Sequence, residues 1–216
     1  MVGRLAQGQP SGLLLTVLMA YGAAVLAVAL GLLLALLHWF SPGYVQRLLW
    51  LAGEVVHGIP LLLLIFCLSF LLPVLLGKRA PDTLPVVAAL VIFNAVTVMV
   101  SLLAGLQGLP RGQHEAAAAG FSRWQTLRWI LLPQVLGQML PSFVHLFIAL
   151  IKDASRAFVV SVPELTMLSS EGNNCEQIYP LEIFLFAGLR YFLLCACLSL
   201  AAFGLEGCLA WQAGRR

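Results

Sequence analysis

Four stretches of this 216-residue chain carry no Asp, Glu, Lys or Arg: Leu5 to Gln46, Val55 to Gly77, Thr83 to Pro110 and Trp129 to Ile151. A bilayer core takes about 20 consecutive apolar residues of helix, and each stretch supplies them. A fifth, from about Leu181 to Trp211, carries Glu182 at its start and is interrupted by Arg190 and Glu206. Apolar residues make up 61% of the chain and charged residues 10%, against about a quarter charged in soluble domains. The runs are continuous rather than alternating, which excludes a β-barrel reading. The expectation is one all-α domain, 1–216, a polytopic membrane bundle with spans near 12–38, 48–76, 84–107, 129–151 and 181–209. Pro60, Pro73 and Pro141 fall inside these spans and predict kinks or breaks.

Charge placement orients the bundle. The loop holding Arg111, Arg123 and Arg128 is expected in the cytoplasm, with Arg47 and Arg215-Arg216. Asp82, Glu164, Glu171, Glu176 and Glu182 then lie outside, and Lys78 and Arg79 weaken the tally without reversing it. An odd number of spans puts the N-terminus outside and the C-terminus inside. The apolar stretch after Arg4 is too long for a secretory signal, so the first span is expected to serve insertion. A net charge of +3 without a basic stripe gives no footprint for nucleic acid. Cys67, Cys195, Cys197 and Cys208 read as small buried hydrophobes, and Cys175 has no obvious mate in its polar loop. Neither a disulfide framework nor a metal site is expected.

Between the third and fourth runs lies a polar segment, Pro110 to Pro133, that a chain this apolar has no compositional need for. Ala116 to Ala119 favours helix, Gly120 breaks it, and Phe121 to Leu127 begins a second short helical pattern. A bent helix pair of this kind suits docking into a partner's groove. The order Glu115-Ala116-Ala117, Gly120, nine residues, then Ile130-Leu131-Leu132-Pro133 resembles the signature of integral-membrane subunits of bacterial ABC importers. Pro110-Arg111-Gly112-Gln113 and Gln134 are similar to the polar amino-acid branch of that family. So are Gly12 to Leu18, Glu54 to Leu62, Lys152-Asp153-x-Ser155 and Glu164-Leu165-Thr166, carrying the likeness from about residue 12 to about 210.

The resemblance implies a permease in the bacterial inner membrane. Its partners would be ATP-binding-cassette ATPase subunits, a second permease and an extracytoplasmic substrate-binding protein. This chain would bind no cofactor, since ATP and Mg belong to the ATPase. The residues 110–128 would form the coupling element, with Gly112, Gln113, His114, Glu115, Ala116, Ala117, Gly120 and Arg123 at the contact. The alternative is an amphipathic loop lying on membrane lipid, to which Arg123, Trp124, Arg128 and Trp129 are suited. Glu115 stands five residues before Gly120, where the family usually has six, so His114 occupies the acidic slot. One missing residue rotates a helix by about 100°.

Candidates for the substrate pathway are Glu54, His57, Asn94, Ser101, Lys152, Asp153, Ser155 and Arg156. Glu54 and His57 are three apart, share a helix face, and are in register to hydrogen-bond. His57 has a structural reading too, and Asn94 and Ser101 equally suit helix packing. Lys152 and Asp153 stand at the end of the fourth span, where charge is costly and rarely idle. Arg156 either holds a substrate carboxylate or snorkels to the interface. Val100 and Leu103 fill positions where the family usually has an acid and an arginine, which favours a heterodimeric pore whose other permease carries more substrate contacts.

Catalysis finds little support. The chain has no P-loop, no His-Glu-x-x-His and no Gly-x-Ser-x-Gly, so ATP hydrolysis is expected on a separate subunit. Asp153, Ser155 and His145 make a poor nucleophilic set, because Asp153 and Ser155 point apart on a helix. Two other classes stand beside the importer: half of an ion-coupled secondary transporter relaying through Lys152 and Asp153, and a non-transporting regulatory membrane subunit.

Overall fold

The computed structural model describes residues 12–76, 81–109, 121–167, 169 and 180–213, and among them every regular element is helical. The helices are α1 (Gly12–Phe40), α2 (Gly43–Gly58), α3 (Leu61–Leu76), α4 (Thr83–Gln107), α5 (Arg123–Gln138), α6 (Leu140–Ala154, drawn on as a 3-10 stretch Ser155–Val160) and α7 (Pro180–Ala213). α1 and α4 each have the length and apolarity of a membrane crossing. The pairs α2–α3 and α5–α6 meet the same test jointly, and the 34-residue α7 contains the apolar stretch Phe184–Leu200. This is the all-α, polytopic membrane bundle expected.

The centre of the bundle is the seam between α1 and α4, the most extensive pairing among the described helices. The buried face of α1 is built from small residues, Ala20, Ala23, Ala27, Gly31 and Ala35, at helical spacing. Apolar side chains gain little by leaving lipid for protein, so association rests on close backbone approach and van der Waals contact. Gly31 marks the tightest point. A Cβ there would fall 2.6 Å from Val98 Cβ and 2.7 Å from the Ala95 carbonyl oxygen. Outward positions carry large apolar side chains such as Phe70, Val74, Trp129 and Leu185, as a lipid-facing surface requires.

Breaks follow proline, but not every proline breaks. Within the stretch expected as the second span, 48–76, the chain forms two helices, α2 and α3, meeting at 97°. Pro60 lacks an N–H and pushes Ile59 to extended backbone (φ −90°, ψ 126°), which ends α2. Pro73 stays inside α3 without ending it. α5 and α6 meet at 54°, with the turn at Met139 and Pro141 in the first turn of α6, where its missing donor costs nothing. Thr126–Leu131 is π-helical just before Pro133, widening the turn where the usual bond to a proline nitrogen is unavailable.

The Gly31 contact yields a test. Gly31→Ala should cost about 1–3 kcal/mol by overpacking and lower the thermal unfolding midpoint of the purified chain in detergent. Gly22→Ala on the same helix meets nothing within 4 Å and should leave the midpoint unchanged or slightly higher.

Candidate functional site

Two of the motifs noted in the sequence meet in space, 148 residues apart in the chain. The 3-10 end of α6 stops at Ser161, whose left-handed backbone (φ 60°) turns the chain back over the bundle. Pro163 then leads into Glu164, which caps the short helical turn at Leu165 to Met167. Its carboxylate accepts from the backbone N–H of Thr166 and of Met167, each at 2.9 Å, satisfying two donors that a helix start leaves open. The Tyr191 hydroxyl on α7 donates to the same group at 2.8 Å. Thr16 on α1 places Oγ1 3.5 Å from Glu164 Oε2, donates to the Gly12 carbonyl at 2.9 Å and accepts the Leu165 N–H at 3.4 Å. The Thr166 and Tyr191 hydroxyls lie 3.3 Å apart.

Glu164 has 0% exposure. Burial pushes its carboxyl above the ordinary value of 4.5, while the Thr166 N–H, the Tyr191 hydroxyl and the Met167 N–H pull it back; the net direction is upward. The knot joins α1, the segment after α6, and α7 at one end of the bundle. Gly-x-x-x-Thr and Glu-Leu-Thr were legible as motifs, but neither named its partner. Tyr191 was not singled out at all, its sole signal being a hydroxyl inside an apolar run.

Beside the knot, Lys152, Ser155, Thr166 and Tyr191 line a pocket of about 240 Å³ between α6 and α7. Ser155 Oγ donates to the Lys152 carbonyl at 2.6 Å. Asp153 and Arg156 form an ion pair one helical turn apart, so the Arg156 guanidinium is engaged with a carboxylate of its own chain. The remaining pathway candidates lie elsewhere. His57 Nε2 is 3.2 Å from the Phe93 carbonyl oxygen and 3.3 Å from Thr97 Oγ1, with its ring 4.9 Å from that of Phe93. It therefore ties α2 to α4 rather than pairing with Glu54, which is exposed. Asn94 is buried and donates to the Leu90 carbonyl at 2.9 Å within α4, and Ser101 is half-buried on the same helix.

At the opposite end of the bundle, Arg123 opens α5 and is exposed. Ser122 and Gln125 cap that start reciprocally: Gln125 N–H to Ser122 Oγ at 3.3 Å, Ser122 N–H to Gln125 Oε1 at 2.9 Å. Arg123 shares a cleft of about 390 Å³ with His38, Gln46, Gln107, Phe121 and Thr126. Gly112, Gln113, His114, Glu115, Ala116, Ala117 and Gly120 lie outside the described residues. No cluster of metal-ligating side chains occurs among the described residues, and Cys67, Cys195 and Cys197 are free thiols.

The raised Glu164 carboxyl fixes the sign of a pH effect. The folded chain holds that proton more tightly than the unfolded chain. Its contribution to stability is therefore fully present below pH 4.5 and is lost as pH rises through the folded value. Thermal unfolding across pH should show this trend, and Glu164→Gln should flatten it. Glu164→Ala leaves buried donors without an acceptor and should cost about 1–3 kcal/mol for each donor stranded.

Comparison with known proteins places this architecture. Residues 27–206 match the family described as binding-protein-dependent transport system inner membrane component. The chain is 36% identical over 198 residues to the probable glutamine ABC transporter permease protein GlnP of Bacillus subtilis, covering 90% of each. It is 28% identical to the glutamate/aspartate import permease protein GltK of Escherichia coli, covering 88% of each. The crystal structure of an amino acid ABC transporter with histidines superposes with a TM-score of 0.81 at 25% identity, over 90% of this chain and 91% of that one. The MetNI methionine ABC transporter in an inward-facing conformation shares the fold at a TM-score of 0.77 and 18% identity, over 90% and 92%. A helical membrane bundle with these motifs in this order and this superposition belongs to the binding-protein-dependent transport inner membrane component family, the permeases of ABC importers.

Proposed function

We propose that this chain is the permease subunit of an amino-acid ABC importer in a bacterial inner membrane, forming half of the translocation path and hydrolysing no ATP itself. The observation that supports the reading is the position of the two helix ends that flank the polar segment. The described residues on either side of the Glu115 to Gly120 motif are the end of α4 at Gln107 and the start of α5 at Arg123, and both lie at the end of the bundle opposite the Glu164 knot. The motif's flanks are anchored, since α4 packs along α1 and the start of α5 is capped by Ser122. Anchored flanks of this kind pass a push from a partner into the helices rather than absorbing it.

The end carrying Arg123 and Arg128 faces the cytoplasm by its positive charge, and the Glu164 end faces outward. ATP binding draws the ATPase subunits together, the coupling segments move with them, and paired permeases open outward. Hydrolysis resets the inward state. The second permease is a homologue rather than an identical copy, because Val100 and Leu103 remove polar groups from this half; Leu103 is buried in the core. A soluble binding protein delivers the substrate. Amino acids as the cargo accord with the names of the relatives, which include glutamine and glutamate/aspartate permeases.

Affinity purification in mild detergent tests the assignment, wild type beside Gly120→Pro. The wild type should bring down an ATP-binding-cassette ATPase and a second, different permease, and the variant should lose the ATPase. Recovery of no ATPase, under conditions that preserve a control importer, would refute the reading.

A further inference from the structure

A carboxyl group on α2 lies open at a depth where lipid cannot accommodate it. His57 Nε2 sits within hydrogen-bond distance of the Phe93 carbonyl and Thr97 Oγ1, which bracket the middle of the 25-residue α4. A helix of that length spans about 37 Å, so its middle falls near the centre of a hydrocarbon core about 30 Å thick. Gly53 meets α4 at the same level, where an added Cβ would fall 2.9 Å from Val96 Cγ1. Glu54 follows directly and is exposed, and among the described residues no hydrogen bond or ion pair engages it. Facing hydrocarbon, a carboxyl group finds no hydrogen-bond partner in either protonation state.

We infer that this face of α2 is an interface with the second permease, and that the partner sets a Lys or Arg side chain against Glu54. The inference rests on the permease reading and names a contact of that assembly. The carboxyl group excludes lipid as the cover. Its surroundings argue against an open aqueous path: Leu51, one helical turn before it, is 63% exposed, and Val55 beside it is 57% exposed. One carboxylate set among large apolar side chains suits a packed protein contact that holds a desolvated ion pair. His57 has its Nε2 turned to α4, which leaves Glu54 to a group from outside the chain. A symmetric contact would bring the same patch from both sides. On this face α4 has no basic residue and α2 has only Arg47, near its start, besides His57, so an identical copy would set acid against acid. An unlike permease with a cation at this depth removes that conflict, and each charge then depends on the other, which makes the pairing selective.

Photo-crosslinking on the co-purified complex tests this, with Leu51 replaced by p-benzoylphenylalanine and the crosslinked peptides sequenced by mass spectrometry. The probe should capture the second permease in a segment that contains a Lys or Arg. Capture of lipid alone, of a second copy of this chain, or of a permease segment without a basic residue would overturn the interface. Glu54 is intact in that experiment, so it decides the contact even where a Glu54 variant fails to fold. Variants then read the pair itself. Glu54→Leu should lower recovery of the second permease per tagged chain severalfold, and Glu54→Lys should lower it further. Glu54→Lys combined with an acid at the mapped basic position of the partner should restore it. Undiminished recovery with Glu54→Leu, or no restoration by the exchange, would overturn the pairing. These failures count against the contact alone where the complex retains its ATPase; a wild-type complex lacking an ATPase counts against the permease reading instead.

Discussion

The close approach of α1 to α4 is the constraint on which the rest of the bundle depends. In lipid, apolar side chains gain little by turning inward, so helices associate where small residues let backbones meet. The Ala20 to Ala35 stripe with Gly31 at its tightest point provides that meeting, and α4 becomes the post around which the other helices are arranged. α2 is held to it by His57 against Phe93 and Thr97, and α5 and α6 also pack on it. The Glu164 knot then closes one end, joining α1 to α7 through a carboxylate that neither helix owns. Two different forces thus do two jobs: dispersion along the seam, and hydrogen bonding where the chain leaves the apolar layer.

Much of this was legible in the sequence, and the reasons for the remainder are physical. Charge-free runs announced the helices because lipid tolerates few alternatives. Pro60 and Pro73 look alike in the sequence yet behave differently. Pro60 follows Gly58 and Ile59 and coincides with a 97° turn, whereas the bonds Pro73 forgoes lie within a turn of the end of α3. The bend near Pro141 sits at Met139, because a proline accommodated in a first turn displaces the break upstream. Side-chain pairing was the least legible layer. Glu54 and His57 had the register to bond, but the ring turned toward α4; Arg156 had a local acid within reach and took it. The partnership of Thr16, Glu164 and Tyr191 joins three distant segments, and no local pattern encodes it.

The distribution of polar groups separates the two ends by role. One end has a knot with no exposure at its carboxylate and a small pocket lined by Lys152 beside it; the other has a wider cleft lined by Arg123. Between them, the midsection of α4 spends its polar residues internally, Asn94 on Leu90 and Thr97 on His57. That division fits a half-pore driven from one end and gated at the other.

The most direct test of the account is uptake by proteoliposomes containing the purified complex with its binding protein, loaded with ATP or with a non-hydrolysable analogue. The account predicts accumulation of a labelled amino acid only with hydrolysable ATP, unaffected by collapsing proton and sodium gradients. Uptake that proceeds without ATP and vanishes with an ion gradient would contradict it.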